Sequence, residues 1–329
     1  MIEIKNCPAT LLPGHGTYSR AGLKKLFGGT KVSHLLPYPS PFAADGVDRQ
    51  FLLNRQSVSL SGVQGKFSLI RDGHGMRLAT PDEQGTHILK PAPQKIAGLT
   101  KNEEHLPANE HLTMQIAEQV YKIDTAHSAM IFFGDGTPAY LVKRFDLGPG
   151  NFKYAQEDFA SLLAKTKRSH GADFKYTGSY ADLFQAMRGK VAAYPVEALK
   201  LFRIIVFNYL FSNGDAHLKN FSLLETPDGD YALSPAYDLL NTRIHVDDKD
   251  LALDQGLLPK DPGGSLRIKL LKLADIADLS PKAVAKTLKQ MSAPYDKTEV
   301  LINRSFLSEK LKRNYLQTYR RRLKTLQKT

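Results

Sequence analysis

The sequence predicts an α+β fold of two lobes, a strand-rich front half and a helix-rich back half with a cleft between them. Three observations carry this. Between Ser57 and Lys90 the stretches SVSLSG, FSLI and HILK alternate or form short apolar runs, and Gly62, Gly65, Gly73, Gly75 and Gly85 punctuate them, as strands joined by turns do. Gly148-Pro149-Gly150 then breaks the chain, and the spacing beyond it is helical. Within that second half, Val196 to Leu210 is apolar on most sides, the mark of a deeply buried helix. The boundary is placed at the glycine-proline break: residues 1–148 form the strand-rich lobe and 149–329 the helical one.

The remaining elements follow in order. The first 50 residues are rich in Pro and Gly and read as short elements joined by turns, with one or two helical turns at Leu23 to Phe27. Asn109-Glu110 opens a helix, HLTMQIAEQV, with apolar Leu112, Ile116 and Val120 on one face. Ala139 to Phe145 reads as a strand, Asp158 to Lys165 and Tyr180 to Met187 as helices, and FSLL after Asn220 as a strand. From Ser280 the spacing stays helical to the end.

Bulk properties exclude several classes. With 329 residues, 42% hydrophobic and 24% charged, the chain is long enough for a sizeable core. Its one cysteine, Cys7, rules out an intramolecular disulfide and a Cys-rich zinc site and fits a reducing cytoplasm. MIEIKNCPAT has no signal-peptide pattern, and the longest apolar stretch, Leu201 to Phe211, contains Arg203 and Asn208 and is too short to span a bilayer. A soluble cytoplasmic protein without a membrane partner is expected. The net charge of +12 favours polyanions, whether nucleotide phosphates, nucleic acid or an acidic surface; direct nucleic-acid binding stays open but is not favoured.

The chemistry concentrates in NGDAHLKN, Asn213 to Asn220, a polar cluster between two apolar elements. Asp215 and Asn220 form D-x-x-x-x-N, which can supply a carboxylate to orient an attacking hydroxyl and an amide to hold a metal ion. Asp238, in SPAYDLLN, adds a carboxylate suited to Mg²⁺. Singly, each is as well explained by turn capping; the set is not. His217 reads as structural rather than as a proton carrier. In SLSGVQGK, Ser59 to Lys66, glycines between strands let backbone N–H groups approach phosphates, although an ordinary hairpin reads the same way. Lys90 ends a strand 20 residues before Glu110, the spacing of a strand lysine paired with a helix glutamate, with Glu103 and Glu104 as rivals. LVKRFD places Lys143, Arg144 and Phe145 where an inter-lobe connection could meet adenine. The tail from Lys310 to Lys328 carries eight Lys/Arg and no acid; with Leu307, Leu311, Tyr315 and Leu323 near one face, it reads as a packed helix with a solvated basic face.

The order SLSGVQGK, HILKP, NE before a helix, KRFD, NGDAHLKNFSLL and SPAYDLL, spanning Ser57 to Leu240, resembles the HipA-type toxin kinases. The resemblance implies a two-lobed, protein-kinase-like fold and an ATP- and Mg²⁺-dependent serine/threonine protein kinase. It assigns Asp215 as the catalytic aspartate, Asn220 and Asp238 as metal ligands, and Lys90 as the phosphate lysine. Ser61, Gly62, Val63, Gln64, Gly65 and Lys66 match the phosphate loop, Lys143, Arg144 and Phe145 the adenine hinge, and His217, Lys219, Asn220, Tyr237 and Asp238 further nucleotide contacts. Ser59 and Ser61 match autophosphorylation sites, and Ser57 extends their spacing by one step. The short start before this loop is similar to the HipT branch. That branch implies an aminoacyl-tRNA synthetase as substrate, with the tryptophanyl enzyme first choice, a halt of translation, a helix-turn-helix antitoxin and a small companion protein. Two alternatives stay open: a small-molecule kinase of the aminoglycoside or choline type, whose H-G-D-x-H-x-x-N loop is close to NGDAHLKN, and a non-catalytic basic binding module.

Overall fold

In the computed structural model, which describes residues 4–41, 55–56, 65–93 and 101–328, one antiparallel sheet organises the front half. Its strands are β1 (Arg55–Gln56), β2 (Lys66–Asp72), β3 (Gly75–Leu78), β4 (His87–Pro91), β5 (Ser128–Phe132) and β6 (Pro138–Lys143), in the order β1-β2-β4-β6-β5 with β3 hairpinned onto β2. The FSLI and HILK runs lie in β2 and β4; SVSLSG lies outside the described residues. Side chains alternate across the sheet. Phe67, Leu69, Leu89, Ile131 and Leu141 face one core shared with Tyr18, Leu26 and Phe27. Met130, Phe132, Tyr140 and Val142 face the main core, with Leu112 and Ile116 of helix α2 (Leu106–Gln119). Because Leu89 points one way, Lys90 points the other, beside Tyr140 on the α2 side.

The beginning of the chain closes the β5 edge. Met130 N–H donates to the Pro8 carbonyl (2.8 Å), Phe132 N–H to that of His34 (2.9 Å), and Leu36 N–H to that of Phe132 (2.7 Å). Pairing removes an edge that would otherwise recruit another strand. The same segment, which contains α1 (Arg20–Phe27), also grips α2: Gln119 Nε2 donates to the Thr10 carbonyl (2.9 Å) and Lys25 pairs with Glu118. α2 begins at Leu106, ahead of the expected Asn109-Glu110, because Pro107 suits a first helical turn.

In the back half, β7 (Gln156–Asp158), β8 (Ser222–Glu225) and β9 (Tyr231–Leu233) form a small sheet. Helices α3 (Phe159–Leu162), α4 (Lys167–His170), α5 (Tyr180–Met187) and α6 (Tyr194–Leu210) lie between its strands in sequence, and α3 and α6 pack on it. α3 is shorter than the expected 158–165 helix: Asp158 caps it and Ala164 turns left-handed, φ 54°. α6 is the anticipated buried helix, with Leu201, Phe202, Val206 and Phe207 fully enclosed. α7 (Leu266–Ile276) follows, and the tail divides into α8 (Pro281–Met291), α9 (Asp296–Arg304) and α10 (Glu309–Gln327) instead of running unbroken. Leu307, Leu311, Tyr315 and Leu323 are buried, but so is Arg322, against the expectation of a wholly solvated basic face. Its guanidinium lies over Tyr209 (4.7 Å), donates to Ser212 Oγ (3.1 Å) and pairs with the half-exposed Asp250 (2.5 Å), which Arg243 shares. Among the described residues no helix is long and apolar enough to cross a membrane.

Two core histidines make stability depend on pH. Burial pushes His87 and His111 down to about 4 from the usual 6.5, so both are neutral when folded. Between those values the unfolded chain binds protons that the folded chain does not, and stability falls as pH drops from about 6.5 towards 4, by on the order of 3 kcal/mol per histidine. Glu110 and His217 titrate over the same window, so the readout is the difference between chains: urea unfolding at pH 7.5 and 4.5 should show His111→Gln losing less stability than the native chain between the two values, and an equal loss would contradict the assignment.

Candidate active site

A cleft of about 1470 Å³ lies between the large sheet and the helical half. Every described candidate except Gly65 lines it: Lys66, Lys90, Glu110, Lys143, Arg144, Phe145, Asp215, His217, Lys219, Asn220, Tyr237 and Asp238. Gly65 is buried next to Lys66. Ser57, Ser59, Ser61, Gly62, Val63 and Gln64 lie outside the described residues.

Lys90 is the hub. Its side chain is only 5% exposed, and its ammonium is 2.7 Å from Glu110 Oε1 and pairs with Asp238 Oδ1; Lys66 stands 3.7 Å from Asp238 Oδ2. Burial opposes the charge of Lys90, but the two carboxylates overcome it and hold the amine protonated. Burial also works against Asp238, yet Lys66 and Lys90 keep its carboxyl well below the usual range. Glu110, buried and sharing its cation, is pushed up to about 7. Glu104 turns instead to His105 (3.9 Å).

The catalytic-type loop leaves the end of α6. Asn213 N–H donates to the Asn208 carbonyl (2.8 Å), and Gly214 N–H donates to Thr242 Oγ1 (3.0 Å). A Cβ on Gly214 would stand 2.3 Å from Asp248 Oδ2 and 2.7 Å from the Lys249 carbonyl, so only glycine lets the chain pass. Asp215 follows with its side chain 44% exposed at the cleft. Burial raises its pKa, against the Tyr176 hydroxyl and the Lys175 charge, which lower it. His217 N–H donates to Asn220 Oδ1 (3.1 Å), and Asn220 Nδ2 donates to Asp238 Oδ2 (3.2 Å). His217, pushed down to about 3 by burial and by Lys175, stays neutral. Asp238 itself sits at φ 55°, a left-handed conformation uncommon outside glycine and found at sites where surrounding contacts impose it.

At the other end, Phe145 and Tyr237 rings lie 5.6 Å apart, and the Tyr237 hydroxyl donates to the Lys219 carbonyl (3.0 Å). The backbone N–H groups of Lys143 and Arg144 are already spent on His127 and Thr86 carbonyls. Arg144 forks onto Asp146 (2.9 and 2.5 Å), and Lys219 pairs with Asp158 (2.6 Å).

The site also holds residues that sequence reasoning misses. Lys175 and Tyr176 come from an irregular stretch with no periodicity to flag them. Asn109 clamps α2 to the segment after Asp238: its Nδ2 donates to the Asn241 carbonyl (2.8 Å) and its Oδ1 accepts from Asn241 N–H (3.1 Å).

The HipA-like C-terminal domain family matches residues 58–298. The chain is 29% identical over 244 residues to a Sinorhizobium fredii protein named "Putative kinase Y4dM", covering 72% of this chain and 58% of that one. It is 28% identical over 275 residues to the serine/threonine-protein kinase toxin HipA of Shewanella oneidensis, covering 74% and 60%. It therefore spans less than two thirds of the length of either relative. The solved structure of Shewanella oneidensis HipA, from a complex with HipB and its operator DNA, superposes with a TM-score of 0.60 at 24% identity, covering 83% of this chain and 64% of that one. The two-lobed kinase-like fold is shared, and with nearly three quarters of its length inside the matched region, this chain belongs to the HipA-like C-terminal domain family.

Proposed function

We propose that this chain is an ATP-dependent serine/threonine protein kinase and the toxin of a toxin–antitoxin pair. The observation that carries the reading is the convergence of Lys90, Glu110 and Asp238 in the cleft that also holds Asp215 and Asn220. Lys90 and Lys66 would meet phosphate oxygens, with Glu110 holding Lys90 in place. Lys143, Arg144, Phe145 and Tyr237 would flank adenine. Asp215 would take the proton of a Ser/Thr hydroxyl as its oxygen bonds to the γ-phosphorus and the bond from that phosphorus to the β–γ bridging oxygen breaks.

The donor set suits Mg²⁺. Among the described residues no three His, Cys, Asp or Glu side chains are grouped to hold a metal. Mg²⁺ commonly takes one or two protein carboxylates and completes its shell with phosphates and water. The ionised Asp238 beside the Asn220 amide fits that role, provided the amide, which now offers its NH₂, turns its oxygen inward. The bound ion would neutralise phosphate charge.

The substrate is proposed to be an aminoacyl-tRNA synthetase, the tryptophanyl enzyme first, and the outcome a halt of translation, on the family resemblance. The presence of HipB and operator DNA in the Shewanella complex supports an antitoxin partner; its helix-turn-helix type and a small companion protein are proposed on the family resemblance. Autophosphorylation at Ser59 or Ser61 would put roughly −1.5 to −2 charges where ATP phosphates bind and lower activity.

Thermal unfolding tests nucleotide binding directly. MgATP at about 100 times its Kd should add about 2.7 kcal/mol. No stabilisation at saturating MgATP would favour a non-catalytic binding module.

A further inference from the structure

Resting on the kinase reading, we infer that Tyr176 is a positioning residue for Asp215: its hydroxyl holds one carboxylate oxygen so that the other faces the acceptor hydroxyl. The Tyr176 hydroxyl donates to Asp215 Oδ1 at 2.5 Å, a side-chain hydrogen bond that reaches the carboxylate from outside its own loop. The Tyr176 ring stands edge-on to His217, 5.2 Å between centroids, and Lys175 Nζ lies 4.9 Å from its centre. His217 Nε2 is 4.0 Å from the same Oδ1, too far for a hydrogen bond, so the tyrosine does the holding.

The turn that delivers Tyr176 is built to be rigid. Phe174–Tyr176 is a single 3₁₀ turn with Phe174 in the core. Its flanks are tied to the segment downstream of Asp238. Asp254 N–H donates to the Tyr176 carbonyl (2.8 Å), Gly178 N–H to Asp254 Oδ1 (2.7 Å), and Tyr180 N–H to the Gly256 carbonyl (3.0 Å). Lys165 Nζ donates to the Thr177 carbonyl (2.7 Å). A tyrosine clamped from two sides presents its hydroxyl in one place, and a base held in one place loses less entropy in reaching the reactive geometry. An Asp on a loop, half exposed and without this bond, would sample other rotamers.

The test is steady-state transfer by native chain, Tyr176→Phe, Asp215→Ala and the double variant, with MgATP stabilisation measured on each. A charge-assisted hydrogen bond of this kind predicts a kcat about 10- to 100-fold lower for Tyr176→Phe with KM for ATP within about twofold. In the Asp215→Ala background the same change should cost nothing more, because the two residues act as one unit. A Tyr176→Phe kcat within about twofold of native, an effect confined to KM for ATP, or equal losses in both backgrounds would overturn the inference while leaving the kinase reading intact. Transfer absent from the native chain itself would remove the kinase reading and this inference together.

Discussion

Asp215→Ala should lower phosphoryl transfer by about 10²- to 10⁴-fold, the range for a lost general base, while leaving the chain folded. The two halves of that expectation come from different observations. The carboxylate faces the cleft with nearly half its side chain exposed, beside Asn220 and Asp238, so its removal strikes the reacting centre. The Asp215 side chain packs into no core and gives the fold one side-chain hydrogen bond, from Tyr176, so alanine should change stability by no more than about 1–2 kcal/mol. MgATP stabilisation should persist in the variant, because Lys66, Lys90 and Asp238 remain. Unchanged turnover would show that another residue performs the proton step.

Lys90→Met should do the opposite and damage both fold and function. One buried ammonium serves Glu110 and Asp238 together; deleting it leaves Asp238 with Lys66 but strips buried Glu110 of its paired cation. Such deletions cost about 3–5 kcal/mol. Pairing the change with Glu110→Leu should recover much of that stability, since an apolar pair of similar volume often replaces a buried ion pair at little cost, yet transfer should stay absent. Chemical denaturation of the single and double variants reads the first effect and a transfer assay the second. A Lys90→Met chain as stable as native would mean the cluster is already neutralised by proton uptake at Glu110, whose pKa is pushed up to about 7.

What the sequence reveals of this site follows periodicity. A strand-end lysine 20 residues before a glutamate, with helical periodicity starting beside it, marks Lys90 and Glu110, and the structure pairs them. The link from Lys90 to Asp238, 148 residues away, depends on how the two halves close and has no local signature. Tyr176 is hidden for the same reason: its role is set by the Asp254 clamp and the catalytic loop, both distant in sequence. Arg322 is the converse case, a residue inside a basic run whose helical position turns it inward to Asp250, which composition alone cannot distinguish from its solvated neighbours. The chain's beginning also exceeds its text. Irregular Pro- and Gly-rich residues supply backbone partners for β5 and a grip on α2, the helix that carries Glu110.

The most direct measurement is incubation of the native chain and its Asp215→Ala variant with Mg²⁺ and γ-labelled ATP in an extract of the source cell, followed by phosphoamino-acid analysis of the labelled proteins. Label in phosphoserine or phosphothreonine, on one band near the mass of an aminoacyl-tRNA synthetase and absent with the variant, is the expected result. Label that accumulates only on added small alcohols or sugars, or equally with both chains, would contradict a protein kinase centred on Asp215.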